Sequence, residues 1–395
     1  LFHSILAKCS VGIFGDTLFT LRLPALIFGI LNIILIYFLG KSLSNNISAS
    51  FACFLYACTP IIIHYDTIAR GYSIITTCSL LLFYLCWNLK SEGSVKYLIL
   101  IPVISSIGFF THLTFLFSFM GTMLWFFYDQ IFRGKKGLQE VINYLLFISF
   151  GTFILSFLLY TPTIILGNGI DQFINNKYFI KSNVFGQYPD DLLSYFYELS
   201  FYFFLNPITI IIACGLIFYV TKVKKPILYL ILFKILGAIF IIHFTKSIPP
   251  YRTLLFLYPF LILSISLSIS SLLRSIKNRH IFLLPFLQVV FYLYLIINKN
   301  LFLYNGFPEL PKVLKFFKSL PENVEIQVTR NNYYKSLKYY LQKNAMQYPE
   351  FSDIKNLGNL DSNTYIVLNK SQKFPKHKYK RVFEDGDVTI LNPIH

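Results

Sequence analysis

The chain has 395 residues, of which 55% are hydrophobic and 13% charged, with a mean hydropathy of +0.59. A soluble domain covers its core with about 25% charged residues, so this composition excludes an ordinary soluble enzyme, a disordered regulator and a disulfide-stapled secreted domain. It leaves a polytopic membrane protein, and the net charge of +17 has to be located along the chain before it is read as affinity for nucleic acid.

Residues 1–14 read as an amphipathic half-segment. Apolar runs of roughly 17–25 residues read as transmembrane helices. They fall near 19–40, 47–64, 72–89, 97–111, 113–128, 142–166, 200–221, 227–245, 252–273 and 280–298. The two short runs that meet at Thr111-His112 read either as a broken helical hairpin or as one kinked element. The tail carries helical patterns at Pro308–Leu320 and Tyr333–Lys343. Strand patterns fall at Val324–Thr329, Thr364–Leu368, Tyr379–Phe383 and Val388–Leu391, the last two flanking the turn Glu384-Asp385-Gly386-Asp387. The expected fold is therefore an all-α polytopic membrane module over 1–298, with about ten transmembrane helices, and a small α/β extramembrane domain over 299–395.

The loops set the expected orientation. One set of short loops holds Lys41, Lys90, Lys96, Arg133, Lys135, Lys136, Lys222, Lys224, Lys225, Arg274, Lys277 and Arg279. The opposite set holds Lys8, Arg22, Arg70, Lys177, Lys181, Lys246 and Arg252 over a longer total length. The positive-inside rule places the first set in the cytoplasm. Much of the charge excess is thus a topology signal, and no basic stripe with a nucleic-acid motif remains. Cys9, Cys53, Cys58, Cys78, Cys86 and Cys214 lie in or beside apolar runs without a CxxC pair, and read as buried thiols.

The unusual polar residues gather on the expected external face. His64-Tyr65-Asp66-Thr67-Ile68-Ala69-Arg70-Gly71-Tyr72 puts a carboxylate, an arginine and tyrosines at one membrane surface. An arginine there can hold a phosphate through paired hydrogen bonds. The same residues suit an interfacial anchor, with tyrosines in the aromatic belt. In Ser247-Ile248-Pro249-Pro250-Tyr251-Arg252, two prolines fix the approach to a long apolar run. That suits a phosphate clamp at a helix start, or a rigid turn with a snorkelling arginine. His112 suits a base, a metal ligand, a hydrogen bonder to substrate, or a polar group satisfied within the fold. Lys234 falls well inside an expected span, where a charge is a functional hint by default and a packing contact is the plainer reading. The aromatic stretch 167–205, with Phe173, Tyr178, Phe185, Tyr188, Tyr195 and Tyr197, suits a lid, an acceptor groove or an interfacial helix. No HExxH motif and no His/Cys cluster points to a tight metal site.

Leu1-Phe2-His3-Ser4-Ile5-Leu6, Phe14-Gly15-Asp16 and Arg22-Leu23-Pro24-Ala25-Leu26, followed by Pro60, Ala69-Arg70-Gly71-Tyr72, Thr111-His112, Pro250-Tyr251-Arg252 and Tyr258-Pro259, form an ordered series. It resembles the polyprenyl-phosphate-sugar-dependent glycosyltransferases of the GT-C fold, of the family 39 or dolichyl-phosphate-mannose protein mannosyltransferase type. The resemblance spans residues 1–275. It implies transfer of a sugar from a polyprenyl-phosphate carrier to a lipid, glycan or protein acceptor on the external face of a bacterial inner membrane, with the C-terminal domain external. It implies Arg70 and Arg252 against the lipid phosphate, and Tyr72, His112 and Asp66 lining the sugar or acceptor cavity. It implies an external-loop aspartate as general base; that position falls upstream of Leu1, so the chain is expected to lack its first helix and that carboxylate. Asp16 aligns with the linker and is not assigned as the base. No resident cofactor is expected, and a divalent cation is left open. The competing readings are a lipid-linked-sugar transporter or flippase, for which internal repeats and coupling charges are lacking, an O-antigen-type polymerase or ligase, and a non-catalytic scaffold.

Overall fold

The computed structural model describes residues 1–134, 136–166, 180–181, 225–245, 247–275, 310–319, 325–328, 364–369, 379–385 and 388–393. The chain divides into two compact units, Leu1–Asn298 and Lys299–His395. The expected spans at 200–221 and 280–298, the tail helix at 333–343 and nearly all of the aromatic 167–205 stretch lie outside the described residues.

The first unit is helical. Its elements are α1 (Phe2–Phe14), α2 (Leu18–Leu43), α3 (Asn46–Ala57), α4 (Pro60–Thr67), α5 (Tyr72–Glu92), α6 (Val95–Thr111), α7 (Phe115–Phe132), α8 (Leu138–Leu166), α9 (Lys225–Thr245), a 3-10 helix (Tyr251–Leu257) and α10 (Tyr258–Ser275). A two-residue strand pair, β1 (Ile180–Lys181) and β2 (Ser247–Ile248), is antiparallel. Among the described residues, Leu18–Leu43, Tyr72–Glu92, Phe115–Phe132, Leu138–Ile165 and Tyr251–Ser268 are long and apolar enough to cross a membrane. The protein is thus mostly helical and polytopic by length and composition.

Local sequence sets the helix limits. Thr17 and Thr20 close a reciprocal capping box at the start of α2. The Asn45 side chain accepts the Ser48 N–H at 2.8 Å and starts α3. Gly93, at φ 65°, ends α5 in the left-handed region that glycine enters without a Cβ penalty. Pro24 lies inside α2 and cannot donate to the Thr20 carbonyl one turn back. Ser10 of α1 donates to that carbonyl at 2.7 Å, so the proline's missing bond ties α1 to α2.

Two expected spans, 47–64 and 252–273, differ from the observed helices, each at an identifiable residue. The run at 47–64 becomes α3 and α4, bent by 70°. Pro60 has no N–H and drives the preceding residue from helical angles; Thr59 is extended, at φ −80° and ψ 118°. The runs meeting at Thr111-His112 are two helices, as the hairpin reading expects, separated by an extended His112 at φ −162° and ψ 136°. The run at 252–273 starts as a 3-10 helix and becomes α-helical only from Tyr258. Pro259 cannot bond back to Leu255, which leaves the tighter turn at the entry.

The interior of this unit is aromatic. Phe83 meets Trp125 at 5.0 Å and Phe260 at 5.7 Å in edge-on contacts. Trp87 stacks on Trp125. Phe147, Phe150, Phe153 and Phe157 of α8 are exposed, as an apolar face turned to lipid requires. At one end, Asp129 is buried and pairs with Lys90 and with Arg133 at 3.5 Å. At the other end lie Gly71, Thr111 and the start of α1.

In the second unit, α11 (Leu310–Lys318) accompanies a four-stranded sheet. Its strands are β3 (Glu325–Val328), β4 (Thr364–Asn369), β5 (Tyr379–Asp385) and β6 (Val388–Pro393), in the order β3-β4-β6-β5. β3 and β4 are parallel; the other pairs are antiparallel. The apolar stripe of α11 buries Val313 and Phe317.

Candidate active site

Helix ends bring the polar loops together. A Cβ on Gly71, which caps α5, would lie 2.6 Å from Thr111 Cγ2 and 3.6 Å from His3 Cβ. Only glycine lets the start of α5 sit this close to the end of α6. His3 of α1 lies against the same glycine, so α1 closes over the same place. His112 follows Thr111 directly in the chain, and Arg252 lies close enough to act on it electrostatically.

His112 is held by its own turn. Its Nδ1 accepts the Thr114 backbone N–H at 3.2 Å and lies 2.9 Å from Thr114 Oγ1. A backbone N–H can only donate, so Nδ1 is the acceptor and the neutral ring carries its proton on Nε2. The ring is accessible, yet surrounding groups take away part of its water. Burial first, and then positive charge nearby that includes Arg252, lower its pKa below the usual 6.5. At pH 7 it is a neutral donor through Nε2.

Arg70 is exposed in the turn between α4 and α5, and Arg252 is half-buried in the first turn of the 3-10 helix. That turn is fixed by Thr253, whose N–H and Oγ1 both donate to the Pro250 carbonyl, at 2.9 and 2.8 Å. Among the described residues neither arginine forms an ion pair. Tyr72 is half-buried and meets Tyr65 edge-on at 5.0 Å, and Tyr65 meets His64 in the same way.

Asp66 is placed differently. It is buried, its Cβ lies against Gly29 of α2, and Tyr56 donates to its Oδ2 at a long 3.4 Å. Arg70, Tyr72, His112 and Arg252 thus share one end of the helical unit, whereas Asp66 turns into the packing of α2, α3 and α4. Sequence reasoning passed over His3. It is buried beside Gly71, and its Nε2 has no hydrogen-bond partner among the described residues. Its signal was a histidine inside an apolar half-segment. Among the described residues no group of three or more His, Cys, Asp or Glu side chains is arranged to hold a metal.

Arg252 acting on a neutral histidine donor, with Arg70 in the turn next to Gly71, suits an anionic oxygen cluster such as a phosphate. The fold and this end of it define a polytopic helical membrane protein with a cationic polar site where several helices terminate. Residues 1–160 match the family model of dolichyl-phosphate-mannose-protein mannosyltransferases. The matched segment runs from α1 into α8 and includes Asp66, Arg70, Tyr72 and His112; Arg252 lies beyond it. The match covers 160 of the 395 residues. No curated protein matches the chain.

Proposed function

We propose that this protein transfers a sugar from a polyprenyl-phosphate carrier to a lipid, glycan or protein hydroxyl at the external face of a bacterial inner membrane. The reading rests on the match of residues 1–160 to the mannosyltransferase family model, with the end of α6 packed on the Gly71 turn that follows Arg70 and with Arg252 acting electrostatically on His112. A departing polyprenyl phosphate needs cations to hold its charge. Arg70 and Arg252 supply them, and His112 Nε2–H adds a directed donor. Tyr72 lines the sugar or acceptor side, and Asp66 sets the α2–α4 wall behind it. The isoprenoid tail lies along the apolar helix faces. The end with Lys90, Asp129 and Arg133 is cytoplasmic by the positive-inside rule, which makes the arginine end external.

The test is transfer of radiolabelled sugar from a polyprenyl-phosphate donor by the protein in membranes. Arg70→Ala and Arg252→Ala are each expected to lower kcat/KM by about tenfold to a hundredfold, since charge-assisted bonds contribute roughly 1.5–3 kcal/mol. Transfer unchanged in both variants overturns the site assignment.

A further inference from the structure

Lys234 is fully buried in α9. Its Nζ donates to Ser118 Oγ at 2.9 Å, Thr122 Oγ1 at 2.9 Å and Ser79 Oγ at 3.2 Å. It lies 4.6 Å from the ring centre of Phe260 and 5.3 Å from that of Phe256. Three hydroxyl oxygens and two ring faces enclose the amine. Among the described residues no carboxylate approaches it. The lysine amine is held by groups that have no charge of their own.

The elements it ties together are those of the candidate site. Ser79 is on α5, two turns below Tyr72. Ser118 is on α7, one turn after Thr114, the residue that holds the His112 ring. Phe256 is in the 3-10 helix, four residues after Arg252. Ser79 Oγ and Ser118 Oγ also bond each other at 2.6 Å, which closes the network between α5 and α7. Apolar side chains would pack these helices, but sliding one past another costs apolar contacts little inside a bilayer. Directed hydrogen bonds from one amine to two helices fix their relative height. Buried polar groups are best attested in this role, setting register.

We propose that Lys234 is a positioning residue: it sets the register of α5, α7 and the 3-10 helix, and so the placement of Tyr72, His112 and Arg252 relative to one another. Its consequence for turnover rests on the glycosyltransferase reading; its consequence for geometry does not. Lys234 touches none of these residues, so its loss disorders the site without removing any group from it.

The experiment uses the whole chain in lipid nanodiscs, with native cysteines replaced by alanine and nitroxides on His112→Cys and Arg252→Cys. Dipolar broadening reads their separation without any turnover. Lys234→Met keeps the volume and removes the donors, and Ser118→Ala with Thr122→Ala removes two acceptors while leaving the lysine. Each is expected to weaken and smear the dipolar signal. In the otherwise native chain each is expected to lower kcat/KM for the lipid-linked sugar about tenfold or more, chiefly through kcat, because misplacement rather than lost contact is the cause. A dipolar signal identical to the parent's in both variants overturns the proposal. If Lys234→Met does not fold, the double alanine variant decides it alone. If the native protein transfers no sugar, the function reading falls while the dipolar result still decides the role of Lys234.

Discussion

The approach of α7 and α9 gives a sharp test of the packing. A Cβ on Gly237 would meet Gly121 N at 2.9 Å and Gly121 Cα at 3.0 Å, and a Cβ on Gly121 would overlap Lys234 Cα. The obstacles are backbone atoms, which cannot swing aside as a side chain can. Gly121→Ala therefore forces the helices apart, and overpacking of this kind costs about 1–3 kcal/mol. Alanine returns about 0.8–1.0 kcal/mol through helix propensity. Because the overlap is with backbone, the cost falls toward the upper part of its range, and the net loss is about 1–2 kcal/mol. Gly12 of α1 is the control: a Cβ there meets nothing within 4 Å. Gly12→Ala keeps the propensity gain, about 0.5–1 kcal/mol. Thermal unfolding in one detergent reads both, at roughly 2–4 °C per kcal/mol. The variants should move Tm in opposite directions. A Gly121→Ala protein at least as stable as the parent refutes the close approach.

Removing Ser10 leaves the Thr20 carbonyl without the bond that replaces the one Pro24 cannot make. Ser10→Ala should cost about 1 kcal/mol, and much less in a Pro24→Ala background, where the new N–H reaches Thr20; equal losses in both backgrounds contradict the compensation. Asp129→Asn leaves Lys90 and Arg133 without their buried carboxylate. Both cations are partly exposed, so the loss should be about 1–3 kcal/mol, below the 3–5 kcal/mol of a fully buried pair; a Tm within a degree of the parent would dismiss the ion pair as a stabilising contact. For His112 the folded pKa is below the unfolded 6.5. The unfolded chain therefore binds more protons between those values, and its contribution to stability is complete above about pH 6.5 and declines as pH falls toward the folded pKa. The difference in Tm between the parent and His112→Gln should vary with pH between about 5 and 7; a constant difference contradicts the desolvated ring.

The spans were legible because bilayer hydrophobicity is a one-dimensional signal. Leu18–Leu43, Tyr72–Glu92 and Leu138–Leu166 lie where long apolar runs require them. Their interruptions were less legible. Pro60 breaks the run at 47–64, yet Pro24 is absorbed inside α2. The difference is Ser10, a residue on another helix, and no local pattern announces that partner. The arginines of the site were visible as unusual charges at loop ends. That Asp66 turns inward was not visible: its loop looked uniformly polar, but its carboxylate sits on the face of α4 that packs against Gly29. His3 was hidden in the same way, since an apolar half-segment gives no sign of which face meets α5.

By itself, then, the sequence determined the solvent. Its hydrophobic excess demands lipid, and its loop charges favour one orientation, because both are sums over residues that need no knowledge of contacts. The partners were decided only by the tertiary structure. Arg252 acts electrostatically on His112 from far along the chain. Lys234, an anomaly in an apolar run, becomes the common point of α5, α7, the 3-10 helix and α10 once three hydroxyls and two rings surround it. A buried polar group is costly until its partners are in place, and those partners come from elements that only the fold brings together.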